Sequence, residues 1–554
     1  MTPLHRRLVL PALALMLVAL VAVACSDEGP QLPFVPTPAP TPEQPREVVV
    51  TVVARGSDDP VSGAEIRVDG ALVRTAADGS ATVSAMRGAP VEFAAEGHDP
   101  AEATVPDEGE LRVELRPNVV SGVVTDTDGA PIAGVRVFMD GGEQMVQSDE
   151  DGAYELPGIP DDATVIYKMP GYRLGEIQPG DEMTRDLAMQ PFEARALYAP
   201  AAVFEAPGRL EEMLSLLDRS EANALVIDVK ETDGQLFYAT DLETAAEVGA
   251  VRETPIFDLQ ELLPMLEKRG IYTIARMVVM KDNTSAVARP ELAVRNSATG
   301  EPWRDNIGGA WLDPSAPGVA EYVASIAGDL ADKGFDEVQL DYIRFFSDGP
   351  YDVADTNLPN TQSFRLPAID RVLRVVSQEL DMTRTFLGAD VFPISFIVPD
   401  DQGIGQRPEV IMPYVDYFCP MVYPSHYGPG VFGFEVPNNF PYEVIDQTLQ
   451  IMNEQAEGLP IEIRPWIQDF GYGQFPPYTA DQVRAEFAAA ADNDAKGWMI
   501  WNARAAFTEA ALGPPREGED DGPMTSAPPG PSASAAASAS ASATPASAAP
   551  SASP

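Results

Sequence analysis

Histidine and cysteine are nearly missing from this chain, at three and two of 554 residues. Transition-metal centres draw their ligands largely from those two types, so no metal site is expected, and two thiols cannot make a disulfide framework. Basic residues are also scarce, 37 against 85 acidic ones, for a formal net charge of −48. Phosphate backbones are held by clustered Lys and Arg, so nucleic acid is excluded as a partner. The acidity itself reads as a solvated surface that keeps the chain soluble and repels polyanions.

What is present supports several cores. Hydrophobic residues make up 45% of the chain, and its length suggests about three or four domains. The start carries His5-Arg6-Arg7, an apolar run over 8–24 and then Cys25-Ser26-Asp27-Glu28, the pattern of an export signal. Cys25 directly after Val23-Ala24 resembles the lipobox of bacterial lipoproteins. That resemblance implies cleavage, lipidation of Cys25, and a protein exported, anchored to the cell membrane and facing outward. A plain cleaved signal and a membrane-spanning anchor are the alternatives. Cys419 then has no disulfide partner and is expected to be buried as a small hydrophobe.

After this signal (1–25), a Pro-rich stretch over 26–46 reads as an extended spacer. The Ala/Ser/Pro-rich stretch over 513–554 reads as a disordered tail. Between them lies an internal repeat over 47–117 and 118–190. Pro60-Val61-Ser62-Gly63, Asp78-Gly79 and Gly97-His98 are echoed by Pro131-Ile132-Ala133-Gly134, Asp151-Gly152 and Gly171-Tyr172. Alternating Val-rich runs between Asp-Gly turns predict two small β-sandwiches in tandem. The second, with Gly122-Val123-Val124-Thr125-Asp126 and Ser148-Asp149-Glu150-Asp151-Gly152, resembles the carboxypeptidase-regulatory-like domain, a prealbumin-like sandwich. Neither copy has an obvious cluster of aromatics, so a spacer role is expected over glycan binding.

From 194 to 512 strands alternate with amphipathic helical segments. Strands are predicted over Ala194–Tyr198, Ala224–Lys230, Tyr272–Val279, Glu337–Phe345, Arg384–Phe392, Tyr414–Tyr423, Ile461–Phe470 and Gly497–Asn502. Eight strands over this length predict a (β/α)8 TIM barrel. An open doubly wound sheet would want a Gly-rich phosphate turn after its first strand, and none is there. Thr479-Ala480-Asp481-Gln482 predicts a helix-starting capping box.

In a barrel of this kind the reactive groups stand at the carboxyl ends of strands. Asp341 and Asp390 end the fourth and fifth strands, each on the face opposite an apolar row, Val338 and Leu340 or Ala389 and Val391. An acid on an inner face needs a partner or a function. Two carboxylates across one cleft suit glycosidic bond hydrolysis, where one stabilises or attacks the anomeric carbon and the other protonates the leaving oxygen. The alternatives are an ion pair of Asp341 with Arg276 or Lys230, and a loop cap by Asp390. Other strand ends supply candidate substrate-binding groups: Asp228 and Lys230, read as sharing one face, Arg276, Arg344, Tyr423, His426, Tyr427, Trp466, Gln468, Asp469 and Trp501. Gln468 and Asp469 face opposite ways, so at most one reaches substrate. No cofactor is called for.

The segments Gly334-Phe335-Asp336-Glu337-Val338-Gln339-Leu340-Asp341-Tyr342-Ile343-Arg344-Phe345, Ala389-Asp390-Val391-Phe392, Met421-Val422-Tyr423-Pro424-Ser425-His426-Tyr427 and Arg464-Pro465-Trp466-Ile467-Gln468-Asp469-Phe470 resemble a bacterial glycosyl hydrolase family of unknown function. The resemblance implies a TIM barrel related to amylase-like glycosidases, with Asp341 in the place of their nucleophile and Asp390 in the place of their proton donor, usually Glu. Phe346 stands where the pattern has Pro, and Pro393 where it has Gly. The expectation is a surface-anchored glycoside hydrolase acting on an extracellular or envelope polysaccharide. A non-catalytic glycan-binding lipoprotein and a structural envelope protein are the other readings.

Overall fold

The computed structural model describes residues 44–473, 475–515 and 525–526. The signal with Cys25, the spacer up to residue 43 and most of the Ala/Ser/Pro tail lie outside the described residues. Among the described residues no helix is long and apolar enough to cross a membrane.

The N-terminal region forms two sandwiches. In the first, strands Arg46–Ala54, Ser80–Ala85 and Leu111–Leu115 face strands Glu65–Val68, Ala71–Arg74, Pro90–Ala94 and Ala101–Thr104. Val48, Val50 and Val52 alternate inward and meet Ile66, Val91 and Phe93 in one core. Strands Val119–Asp126, Ala153–Pro157 and Leu187–Met189 repeat the first sheet in the second sandwich. The repeat is conserved down to single atoms. Gly79 and Gly152 both have φ +75°, and a Cβ on either would lie 2.4 or 2.3 Å from the carbonyl oxygen of Val52 or Val124. Only glycine fits there. Thr75 and Ser148 are equivalent too, each hydroxyl donating to a carbonyl, of Val61 and Ile132 respectively.

The C-terminal region is a TIM-like barrel of parallel strands: β1 Ala194–Ala199, β2 Ala224–Lys230, β3 Tyr272–Val278, β4 Glu337–Asp341, β5 Phe386–Val391, β6 Tyr417–Pro420, β7 in two pieces Glu462–Ile463 and Trp466–Gln468, and β8 Gly497–Trp501. Each pairs with the next, and β8 returns to β1. The two edges of the curled sheet are the two pieces of β7: the first pairs with β6 and the second with β8, while a bridge joins Met421 to Trp466. The break falls at Arg464-Pro465, where proline has no N–H to give a ladder.

Val338 and Leu340 join Leu225, Ile227, Ala275, Leu387, Ala389 and Ile467 in the core outside the strands, under the helices. Helix Val319–Lys333 covers part of it with Val319, Tyr322, Val323, Ile326 and Leu330, each such burial contributing about 1.5–3 kcal/mol. Helix Ala480–Asp492 starts at the capping box of Thr479 and Gln482. The inside of the barrel is partly polar: Glu337 and Arg464 form a fully buried ion pair at 2.5 Å. Cys419 lies there as a buried free thiol, its pKa pushed up by burial.

The second sandwich is more than a spacer, because it closes the amino end of the barrel. Phe138, Ile166 and Leu174 share a core with Ala194, Tyr272, Phe386 and Tyr417. Lys168 reaches across and donates to the carbonyls of Leu380 (3.1 Å), Thr383 (3.1 Å) and Thr385 (2.5 Å). Arg136 pairs with Asp416, and Arg384 with Glu176 at 2.7 Å. The opposite, carboxyl end is left to the loops.

Candidate active site

Strand β4 stops at Asp341 because the next residue, Tyr342, is left-handed at φ +55°. A tyrosine in that region is strained, and such strain clusters at functional sites. The turn brings the Tyr342 N–H to Oδ1 of Asp341 at 2.6 Å. Arg276, from the inner face of β3, donates through Nη2 (2.5 Å) and Nε (3.1 Å) to Oδ2 of the same carboxylate. The ion pair weighed from the sequence therefore forms, with Arg276 and not Lys230. Arg276 is not exclusive to Asp341, because its Nη1 also serves Asp228 at 2.5 Å and Glu231 at 2.8 Å. One guanidinium is shared by three carboxylates. Asp341 keeps a tenth of its side chain open to solvent.

Asp390 on β5 is only 1% exposed. Its Oδ1 accepts from the Trp466 indole N–H at 2.6 Å, and among the described residues its side chain has no cationic partner within ion-pair reach. Burial first, and then the charge of Asp341, raise its pKa well above the ordinary carboxylate value, against a smaller opposing effect of Arg276. The two acids therefore sense each other but occupy different surroundings. Asp228 accepts from Tyr198 and Arg276, both at 2.5 Å, and burial pushes it up to about 7.

Aromatic rings line the same end. Trp501 stacks on Tyr198 at 4.1 Å and stands edge-on to Trp466 at 5.5 Å. Arg276 lies 5.3 Å from the Trp501 ring centre. Tyr423 is buried and feels the charge of both Asp390 and Asp341, which adds to burial in raising its phenol. His426 is exposed, packs on Tyr472 at 4.4 Å and hydrogen-bonds Ser425 Oγ at 3.0 Å. Tyr427 points its hydroxyl to Thr448, 3.0 Å away, on the outer helix.

Three expected substrate contacts are otherwise engaged. Asp228 and Lys230 do not share a face: a bulge between them sets Asp228 beside Arg276 but Lys230 beside Met277, a residue of the outer core. Lys230 is buried with Asp282 at 2.9 Å and the Val278 carbonyl at 2.7 Å. Gln468 is fully buried, accepting from Ser425 N–H and donating to Asn438 and Phe470 O, so it ties two loops together. Asp469 caps Thr508, taking its N–H and its hydroxyl at 2.6 Å each.

Sequence reasoning passed over Tyr198, Glu231 and Gln406. Tyr198 was recoverable, since period two along Ala194, Ala196 and Tyr198 puts it on the inner face. Gln406 braces the two catalytic candidates' strands: it accepts from Phe392 N–H at 2.8 Å and donates to the carbonyls of Asp390 and Ile343 at 3.3 and 3.4 Å. It comes from a loop with no local signal. Phe346, the departure from the expected Pro, packs on Trp303 at 4.6 Å. Among the described residues no cluster of three or more His, Cys, Asp or Glu is arranged to hold a metal.

Residues 196–507, just over half of the chain, match the family described as "Putative glycosyl hydrolase domain". The chain belongs to that family. Residues 119–190 match the carboxypeptidase regulatory-like domain, on the second sandwich. No curated protein matches the sequence. Among solved structures, a hypothetical protein from Ruminiclostridium thermocellum is 32% identical over 35% of this chain and 97% of its own, with a TM-score of 0.32. The glycoside hydrolase domain of PgaB (BpsB) from Bordetella bronchiseptica is 14% identical, covering 58% of this chain and 99% of its own, at 0.42. The catalytic domain of a beta-amylase from Paenibacillus polymyxa is 10% identical, covering 58% and 95%, at 0.38. The glycosyl hydrolase family match spans the barrel strands, except the first two residues of β1, and both acids.

Proposed function

We propose that this protein is a surface-anchored glycoside hydrolase that cleaves an extracellular or envelope polysaccharide with two carboxylates. Asp341 is the charged partner of the anomeric centre and Asp390 the proton donor. The observation that carries this reading is the unequal environment of the two acids. Asp341 is oriented by a guanidinium and a backbone N–H. Asp390 is buried beside it, and the resulting upward pKa shift keeps a proton available for the leaving oxygen. Pairs of acids whose surroundings drive their pKa values apart are how one site runs acid and base chemistry together. Trp501, held in place by its stacking on Tyr198, and Tyr423 offer ring surface to sugar rings. With purified full-length protein and a panel of polysaccharides, Asp341→Asn is expected to lower hydrolysis by about 10²–10³-fold or more, with its melting temperature retained. An unchanged rate would refute the role of Asp341.

Membrane attachment through Cys25 is part of the same proposal, supported by the charged, apolar and Cys25 pattern of the N-terminus. In cells fed a labelled fatty acid, label is expected in the wild-type protein and not in Cys25→Ala. Equal labelling, or none in either, would contradict it.

The depth of Asp390 favours one second reading, a cleft that binds glycan without cutting it. That reading predicts tight sugar binding by both wild type and Asp341→Asn, and no product from either.

A further inference from the structure

Among the described residues five cations are buried at the carboxyl end of the barrel, and four have a carboxylate, Arg365 having Asp401 at 2.7 Å. Lys230 has Asp282, Lys281 has Asp305, and Arg276 has three acids. Arg344, two residues beyond the left-handed turn that ends β4, has none within ion-pair reach among the described residues. It is 6% exposed. Its guanidinium sits inside a cage of rings, 4.9 Å from Trp311, 4.9 Å from Tyr342 and 4.8 Å from Phe392. Both of its hydrogen bonds leave from Nη1, to the Phe345 carbonyl and to Ser347 Oγ, each at 3.0 Å. Among the described residues Nε and Nη2 have no hydrogen-bond acceptor, and neither is sealed from solvent.

That free edge has a specific chemistry. Nε and Nη2 are the two parallel donors that take both oxygens of one carboxylate, a fork that planar arginine supplies and lysine does not. A buried cation with no carboxylate in contact is costly, which the rings and the more distant charges of Asp341 and Asp348 offset only in part. Burial accordingly disfavours its charged form, an effect that an incoming anion would reverse. The geometry points to Arg344 as the receptor for a sugar carboxylate, so that the substrate is a uronic-acid-containing polysaccharide bound with an acidic residue beside Asp341. This inference rests on the hydrolase reading of the same mouth. The net charge of −48 does not oppose it at contact, because exposed charges more than about 8 Å away are largely screened at physiological salt.

The test is calorimetric binding to the full-length Asp341→Asn variant, which needs no turnover. Uronic-acid polysaccharides are each compared with their carboxyl-reduced counterpart, which keeps the linkages and removes the charge. Polymers without uronic acids but carrying sulfate or phosphate esters form a third arm. At least one uronide is expected to bind roughly ten- to hundredfold more tightly than its reduced form. Adding Arg344→Gln should erase that difference while leaving the weaker binding of the reduced polymer. Arg344→Lys, which keeps the charge and loses the fork, should restore only part of it, and melting curves establish that both variants are folded. A uronide that binds no better than its reduced form, a preference that survives Arg344→Gln, or equal binding of sulfate or phosphate esters would each overturn the inference. Hydrolysis of a neutral glycan by the wild type would sink it too, while leaving the hydrolase proposal standing.

Discussion

At the scale of single residues, Asp390 links stability to function. Its folded-state pKa lies above the ordinary aspartate value of about 3.9. The folded protein therefore binds more protons than the unfolded chain between those two values, and stability falls as pH rises through that window. The penalty is absent below the unfolded pKa and complete above the folded one. Asp390→Asn removes the buried charge, so its melting temperature is expected to exceed that of the wild type at alkaline pH, with the gain vanishing toward about pH 3.9. A gain independent of pH would mean that Asp390 is not the group that titrates. Activity should follow the same proton: the alkaline limb of the pH–rate profile marks the loss of the donor's proton.

Among strands and turns, the barrel was largely legible because its outer face is a clean period-two row of Val, Leu, Ile and Ala. Ala224–Lys230 was read to the residue. The errors fall where backbone irregularity breaks the period. The bulge after Asp228 moved Lys230 to the other face, the positive φ of Tyr342 ended a strand expected to reach Phe345, and Pro465 split β7. Asp341 and Asp390 needed only alternation to be found, whereas Gln406 and the loop rings around Arg344 are brought in by tertiary packing. Gly497 offers an element-scale test. It has φ +85°, and a Cβ there would sit 2.0 Å from the Ala194 carbonyl oxygen, where β8 meets β1. Gly458 has φ +79° with nothing within 4 Å. Gly458→Ala should cost about 1 kcal/mol, the cost of the left-handed region, and Gly497→Ala clearly more, because the β8–β1 contact must also open. Similar losses in thermal melts of the two variants would show that the contact yields freely.

For the whole molecule, the second sandwich is part of the barrel's structure. Phe138, Ile166 and Leu174 cover apolar surface at the amino end, and Lys168 is fully buried there. A fragment over 194–512 would uncover that surface, and large uncovered apolar patches drive association. It is expected to melt at a lower temperature and bind a hydrophobic dye, whereas a fragment over 118–512 should melt like the full chain. Equal melting of the two fragments would return the sandwich to a spacer. This docking was not readable from the sequence, because the residues that make it look like ordinary strand residues of a small sandwich.

Asp341 and Asp390 divide the chemistry between them, and leaving-group dependence separates their two roles. Hydrolysis rates of Asp390→Asn should be compared with wild type on a natural glycan, whose leaving oxygen needs a proton, and on an aryl glycoside of the same sugar, whose leaving group does not. Asp390→Asn is expected to lose about 10²–10⁴-fold on the glycan and much less on the aryl glycoside, with Asp341→Asn losing about 10²–10³-fold or more on both. Equal losses of Asp390→Asn on the two substrates, or full activity of Asp341→Asn on either, would contradict that division.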